Sequence, residues 1–177
     1  MNIVVLQGSP NKRGSTAILC EEFVRGARDA GHSVERVDVA DAGIAPCTGC
    51  VACGYEGPCV QHDGMDALRP KLLAADMLVF ATPLYYYGMS AQLKTVIDRF
   101  CSANYSITGK HMKSALLAVA WNADSWTFDA LIAHYNTLVR YLDFQDCGTV
   151  LGYGCGTPSS TSHSRYPKAA YELGRNL

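Results

Sequence analysis

The sequence predicts a doubly wound α/β domain: a five-stranded parallel sheet with helices on both faces. Three observations lead there. Apolar runs without alternation, such as Ile3-Val4-Val5-Leu6 and Met77-Leu78-Val79-Phe80, suit strands buried on both faces. Between such runs lie segments whose apolar residues recur at three- and four-residue steps, the signature of a helix covering a sheet. With 177 residues, 49% of them hydrophobic, the chain fits a single domain over 1–177 with one sizeable core.

Strand one is Asn2 to Gln7. A helix from about Ser15 to Ala30 follows, with Ala17, Cys20, Phe23, Val24 and Ala27 facing inward, and Gly31 supplies its stop. Ser33 to Val39 reads as the second strand, which completes a βαβ beginning. A glycine- and cysteine-rich insertion at about 41–63, with Pro46 and Pro58, is too irregular for helix or strand and must hold its shape by other means. A helix from Met65 to Ala75 leads into a strand from Met77 to Thr82, which Pro83 ends. Further on come a helix from Ala91 to Cys101, a strand from Ser114 to Trp121, a helix from Thr127 to Leu142, a strand near Asp146 to Tyr153 and a last helix from Ala169 to Leu177. Right-handed crossovers between parallel strands place ligands at the strands' carboxyl ends near the switch point. The loops after strands one, three and four should therefore converge on one site.

A net charge of -1 and a pI near 6.5 give no electrostatic case for nucleic acid or for an anionic membrane. No apolar segment reaches the length of a membrane span, and Met1 to Leu6 lacks the features of a signal peptide, so a cytoplasmic location is expected. In that setting eight cysteines point to metal or redox chemistry rather than to a disulfide framework. Cys20, Cys101, Cys147 and Cys155 are dispersed and read as small buried hydrophobes.

The loop Gly8-Ser-Pro-Asn-Lys-Arg-Gly-Ser-Thr16 joins strand one to helix one. Its glycines allow a tight turn, Ser9, Asn11, Ser15 and Thr16 offer short donors, and a helix N-terminus favours an anion. A turn capped by Ser15 or Thr16 would explain the same residues. A Walker loop is excluded because Gly14 is followed by Ser15 with no lysine, and a dinucleotide loop because Ser9-Pro10 stands where the second glycine belongs. A receiver domain would need acidic residues where Gln7 and Gly8 lie. Mononucleotide binding survives these tests. After strand three, Pro83, Tyr85, Tyr86 and Tyr87 could wall a planar ring, or else serve as core or interface residues. Together, a phosphate cradle and an aromatic loop describe a flavin mononucleotide site.

Gly8-Ser-Pro-Asn-x-x-Gly-Ser-Thr, followed by Thr82-Pro-Leu-Tyr-Tyr-Tyr-Gly-Met-Ser-Ala-Gln-Leu-Lys-x-x-Ile-Asp-Arg99, resembles the flavodoxin-like NAD(P)H-dependent FMN reductase family. Ala169 to Arg175 also looks like that family's terminal helix. The resemblance implies a strand order of 2-1-3-4-5 and FMN with its phosphate on Ser9, Asn11, Gly14, Ser15 and Thr16. It implies the ring along Pro83, Leu84, Tyr85, Tyr86, Tyr87 and Gly88, near Trp121 and Asn122. The flavin would carry the chemistry, taking hydride from NAD(P)H and passing electrons to a flavin, quinone or similar acceptor. No catalytic triad is needed; backbone N–H groups around Tyr86 to Gly88 are the expected donors to the reduced ring. Lys94 and Asp98 match the motif but also suit a helix-surface pair. Related proteins form dimers, which implies a homodimer or a dimer of dimers.

The strongest local signal is C-x2-C-x2-C-x5-C, formed by Cys47, Cys50, Cys53 and Cys59. Thiolates at this spacing can wrap one [4Fe-4S] cluster, with Gly49, Gly54 and Gly57 letting the backbone turn toward it. Zinc more often joins two separated C-x2-C knuckles. The stretch resembles the cysteine motif of iron-sulfur flavoproteins, in which cluster and FMN exchange electrons between protein partners; it also resembles cysteine-rich loops of flavin reductases that bind no metal. Cluster, zinc and no metal remain open at this point. His62 reads as a loop histidine bonded locally.

Overall fold

In the computed structural model, which describes residues 1–177, the chain forms β1 (Asn2–Gln7), α1 (Ser15–Asp29), β2 (Ser33–Asp38), α2 (Gly64–Ala74), β3 (Met77–Pro83), α3 (Ala91–Asp98), α4 (Asn104–Thr108), β4 (Lys113–Val119), α5 (Asp129–Tyr141), β5 (Gln145–Gly152), α6 (Pro158–Ser162) and α7 (Tyr166–Arg175). Every strand pairing is parallel, and the order is β2-β1-β3-β4-β5, as expected. Winding reverses between β1 and β3, so the switch-point crevice opens at their carboxyl ends.

Period-two alternation divides the buried side chains between two faces. Val4, Leu6, Leu78, Phe80, Leu116 and Ala118 join one core cluster, which includes Leu68 and Leu72 of α2, Leu93 and Val96 of α3, and Leu131 and Tyr135 of α5. Ile3, Val5, Met77, Val79, Ala115 and Leu117 join the other, with Leu19, Phe23 and Ala27 of α1 and Ala170 of α7. Each fully buried aliphatic or aromatic side chain stabilises the fold by about 1.5–3 kcal/mol. The helices α1 and α7 meet at glycines: a Cβ on Gly26 would lie 2.1 Å from the Tyr171 carbonyl oxygen, and one on Gly174 would lie 2.3 Å from that of Phe23. Around this contact Arg25 stacks 4.1 Å from the Tyr171 ring centroid, and the Tyr171 hydroxyl donates to Asp29 at 2.9 Å.

Several boundaries differ from the sequence reading, each for a local reason. Helix α3 ends at Asp98, short of Cys101, and tightens into a 3-10 turn over Arg99–Ala103. There the Arg99 and Ser102 carbonyls accept from Ser102 Oγ and Arg69 Nε instead. The last helix begins at Tyr166, with a proline in its first turn. Two short helices were not anticipated, α4 and α6; α6 begins with a capping box between Thr157 and Ser160 and with Pro158 in its first turn.

Candidate functional site

The loop after β1 is tied into the strand ends around it. Gly8 N–H donates to Ala81 O at 2.7 Å, and Ser90 Oγ, at the start of α3, donates to Gly8 O at 2.7 Å. Within the loop Ser9 Oγ accepts from Asn11 N–H at 3.2 Å, and Asn11 Oδ1 accepts from Arg13 N–H at 3.1 Å. Helix α1 then starts on Gly14, which has no side chain to cap it; no acidic residue occupies its first turn. Ser15 and Thr16 therefore stand inside the helix rather than capping it, and the capped-turn alternative is not what forms. Ser15 Oγ is buried with no hydrogen-bond partner. A buried orphan hydroxyl at an uncapped helix N-terminus calls for an acceptor, and an anion supplies one.

Ser9, Asn11, Gly14, Ser15 and Thr16 line one cleft of about 210 Å³ together with Pro83, Leu84, Tyr85 and Trp121. The loop after β5 supplies a wall that sequence reasoning missed, made of Cys155, Gly156 and Pro158. Trp121 lies against Gly156, where a Cβ would come within 2.2 Å of Trp121 Cε3. Tyr86, Tyr87 and Asn122 line an adjoining depression of about 240 Å³ that shares Leu84 and Trp121 with the cleft. Thr-Pro at 157–158, read as a cap and a first helical residue, was the available signal for the missed loop.

Tyr85 and Gly88 bond to each other in both directions, at 3.0 and 3.1 Å, around a two-residue turn. Its central residues, Tyr86 and Tyr87, take φ of +46° and +64°. Asn-Gly is the usual choice at such positions, and each aromatic residue there costs about 1–2 kcal/mol. Tyr87 packs on Trp126 with ring centroids 5.1 Å apart, while Tyr86 is fully exposed. The expectation that N–H groups from Tyr86 to Gly88 are free donors is corrected at Gly88, whose N–H closes the turn. Lys94 pairs with Asp98 at 2.5 Å as a helix-surface pair.

Cys47, Cys50, Cys53 and Cys59 line a second cavity, of about 220 Å³, and a fifth thiol, Cys101, joins them from the turn after α3. The reading of the dispersed cysteines is corrected accordingly. Cys20 and Cys155 are buried, Cys20 with its thiol pushed up to about 12 by burial, whereas Cys101 and Cys147 are partly exposed. Burial first, then the charges of Cys47 and Cys53, raise the Cys101 pKa. Around the motif the backbone is unusual: Gly49, Val51, Gly54 and Tyr55 have φ of +69°, +57°, +56° and +66°. For a β-branched residue such as Val51 this conformation is a marked outlier, of the kind that clusters at functional sites.

Two anchors hold this loop. On one side Arg99, 1% exposed, sets Nη1 2.7 Å from Asp63 Oδ2 and Nη2 3.2 Å from Oδ1, and its Nη1 also donates to Ala45 O at 2.8 Å. Asp63 accepts in turn from Ala45 N–H and Met65 N–H, each at 2.9 Å, the second capping α2. Burial pushes the Asp63 carboxyl up, but Arg99 and the two N–H donors outweigh it and hold its pKa below the ordinary value. On the other side Arg69 Nη2 donates to Glu56 O at 2.8 Å, Glu56 accepts from Ser106, and Asn104 N–H donates to Tyr55 O at 2.9 Å. His62 pairs locally with Asp66 at 3.2 Å, as expected. No three Cys, His, Asp or Glu side chains converge on one point from which a single ion could be held.

A 2-1-3-4-5 parallel sheet, with an uncapped helix N-terminus at the switch point and an aromatic turn beside it, defines the flavodoxin-like class of mononucleotide-binding folds. Residues 1–146 match the model of the NADPH-dependent FMN reductase family, and the chain belongs to that family. The FMN-dependent NAD(P)H oxidoreductase expected from the sequence is thus the class in which it falls. It is 37% identical over 156 residues to an iron-sulfur flavoprotein of Archaeoglobus fulgidus, covering 87% of this chain and 69% of that protein. To an iron-sulfur flavoprotein of Methanocaldococcus jannaschii it is 35% identical over 99 residues, 56% of this chain and 51% of that protein, so it spans about half the relative's length. An NAD(P)H:quinone oxidoreductase from Methanothermobacter marburgensis shares the fold, with a TM-score of 0.79 at 18% identity over 100% of this chain and 96% of that one. No helix is long and apolar enough to cross a membrane.

Proposed function

We propose that this chain is an iron-sulfur flavoprotein oxidoreductase. FMN lies in the cleft at the switch point, a [4Fe-4S] cluster lies on Cys47, Cys50, Cys53 and Cys59, and electrons from a reduced nicotinamide pass through the flavin to a small-molecule or protein acceptor. The observation that carries the flavin assignment is the orphan Ser15 hydroxyl at the uncapped start of α1. In this reading Ser9, Asn11, Gly14, Ser15 and Thr16 hold the phosphate. Pro83, Leu84 and Tyr85 line the ring side, Tyr86, Tyr87 and Gly88 form the turn beside it, and Trp121 and Asn122 close the far edge. Bound flavin supplies hydride acceptance and release of electrons singly or in pairs. The protein's task is to hold the ring, exclude water from one face and offer N–H donors, for which Tyr86 and Tyr87 remain.

Support for the cluster comes from four motif thiols in one cavity, from the left-handed backbone around them and from anchors that hold the loop in place. The relatives' description as iron-sulfur flavoproteins agrees with it. A single zinc ion would need sulfurs about 2.3 Å from one centre, and no three Cys, His, Asp or Glu side chains meet on such a point here. The lack of convergence also favours one rival, a reductase without metal that passes electron pairs to a flavin or quinone. Eight free cysteines suit a reducing, cytoplasmic setting. The exposed aromatics Tyr86, Trp121 and Trp126 suit a homodimer or dimer of dimers.

The test is the visible spectrum of protein purified without oxygen, with iron and acid-labile sulfide assays. Flavin bands over broad brown absorption, with iron and sulfide in equal amounts, are the expected result. Flavin bands alone assign the metal-free reductase, and a colourless protein that refuses FMN overturns both readings.

A further inference from the structure

We propose that Arg99 is the fixed positive charge of the cysteine cavity and raises the reduction potential of the cluster held there. This inference rests on the cluster reading above. Arg99 forms part of the cavity wall beside the thiols, and its ion-pair partner Asp63 does not. Both terminal nitrogens turn to Asp63, at 2.7 and 3.2 Å, so the pair is oriented with its positive member on the cavity. The remaining donor, Nε, is buried in a side chain only 1% exposed and has no hydrogen-bond partner. A buried orphan N–H is uncommon in folded proteins and calls for an acceptor, and cluster and cysteine sulfurs are the acceptors this cavity would hold. A four-thiolate cluster is anionic and gains a further negative charge on reduction. A guanidinium fixed beside it, away from bulk water, favours the reduced state.

The experiment uses anaerobically reconstituted full-length protein as wild type, Arg99→Gln, Arg99→Lys and Asp63→Asn. Each is measured for iron and sulfide content, for midpoint potential by redox titration, and for thermal stability. Arg99→Gln is expected to shift the reduced-to-oxidised equilibrium about tenfold toward oxidised, about 59 mV for a one-electron couple. Arg99→Lys keeps the charge but loses the fork, so its potential stays near wild type while its stability falls. Asp63→Asn leaves the positive charge uncompensated and shifts the potential the other way. An unchanged potential in Arg99→Gln at full iron content overturns the proposal, as does a matching fall in both Arg99 variants that follows stability alone. Where Arg99→Gln fails to fold, Asp63→Asn decides, and an unchanged or lowered potential overturns it. Wild type that takes up no iron and sulfide overturns the cluster reading and this inference together, and the metal assay tells the two failures apart.

Discussion

Ser15 and Gly156 touch the same cleft by different means, one through an unused donor and the other through a missing side chain. Replacing Ser15 and Thr16 together by Val removes two hydroxyls from the start of α1; the change is isosteric at Thr16 and enlarges the side chain at Ser15. A hydrogen bond to a charged group contributes about 1.5–3 kcal/mol, so FMN affinity is expected to fall at least tenfold in a fluorescence-quenching titration. Unchanged affinity would place the phosphate elsewhere. Gly156→Ala acts sterically, because its Cβ would lie 2.2 Å from the Trp121 ring and the indole must move. FMN binding should weaken several-fold while the melting temperature shifts little, since Trp121 is 75% exposed and contributes little to the core. An FMN affinity equal to wild type would remove Trp121 from the ring site. Ser15 could be read from the sequence because a strand, a glycine turn and a helix start follow one another there. Gly156 could not, since its importance comes from a partner 35 positions earlier that only the paired ends of β4 and β5 bring near.

At the scale of elements, the insertion at 41–63 was legible as a segment without periodicity that needed outside support. Its support was not, because Asp63 and Arg99 are 36 residues apart in sequence and meet through the turn after α3. Cys101 escaped for the same reason: it sits among helical residues, where a cysteine looks like a small hydrophobe. The staple makes an acid-dependent contribution to stability. The Asp63 pKa is depressed in the folded protein. Its contribution is therefore complete above the unfolded carboxylate value, about 3.9, and is lost as pH falls through the lower folded value. Asp63→Asn leaves a buried arginine unpaired and should cost about 3 kcal/mol at neutral pH. In urea unfolding the gap between wild type and variant should stay constant down to about pH 5 and narrow progressively as pH falls below the unfolded carboxylate value. A gap that persists in acid would mean the carboxylate charge is not what holds the loop.

Over the whole molecule, the parallel sheet and the end of it expected to take a ligand followed from two simple regularities, whereas the strand order came from the resemblance to a family. Buried strands carry unbroken apolar runs, and parallel crossovers force the ligand to the carboxyl ends. Assembly is different, because a surface pattern has no such rule behind it. Here the turn at Tyr86 and Tyr87 supplies a physical argument. Both residues are held at positive φ, and Tyr86 points fully into solvent near exposed Trp121 and Trp126. Strain spent on exposing a large aromatic residue contributes nothing to an isolated chain; covered by a second copy, the ring would bury its apolar face beside the cleft. Tyr86→Asn with Tyr87→Gly fits the turn's backbone and removes the rings. Unfolding of the monomer should become harder by about 1–2 kcal/mol. Dimer dissociation, followed by sedimentation at micromolar concentration, should become at least tenfold easier, with FMN affinity falling alongside it. Unaltered assembly combined with weakened FMN binding would confine the aromatic turn to the cleft of its own chain and place the interface on another face.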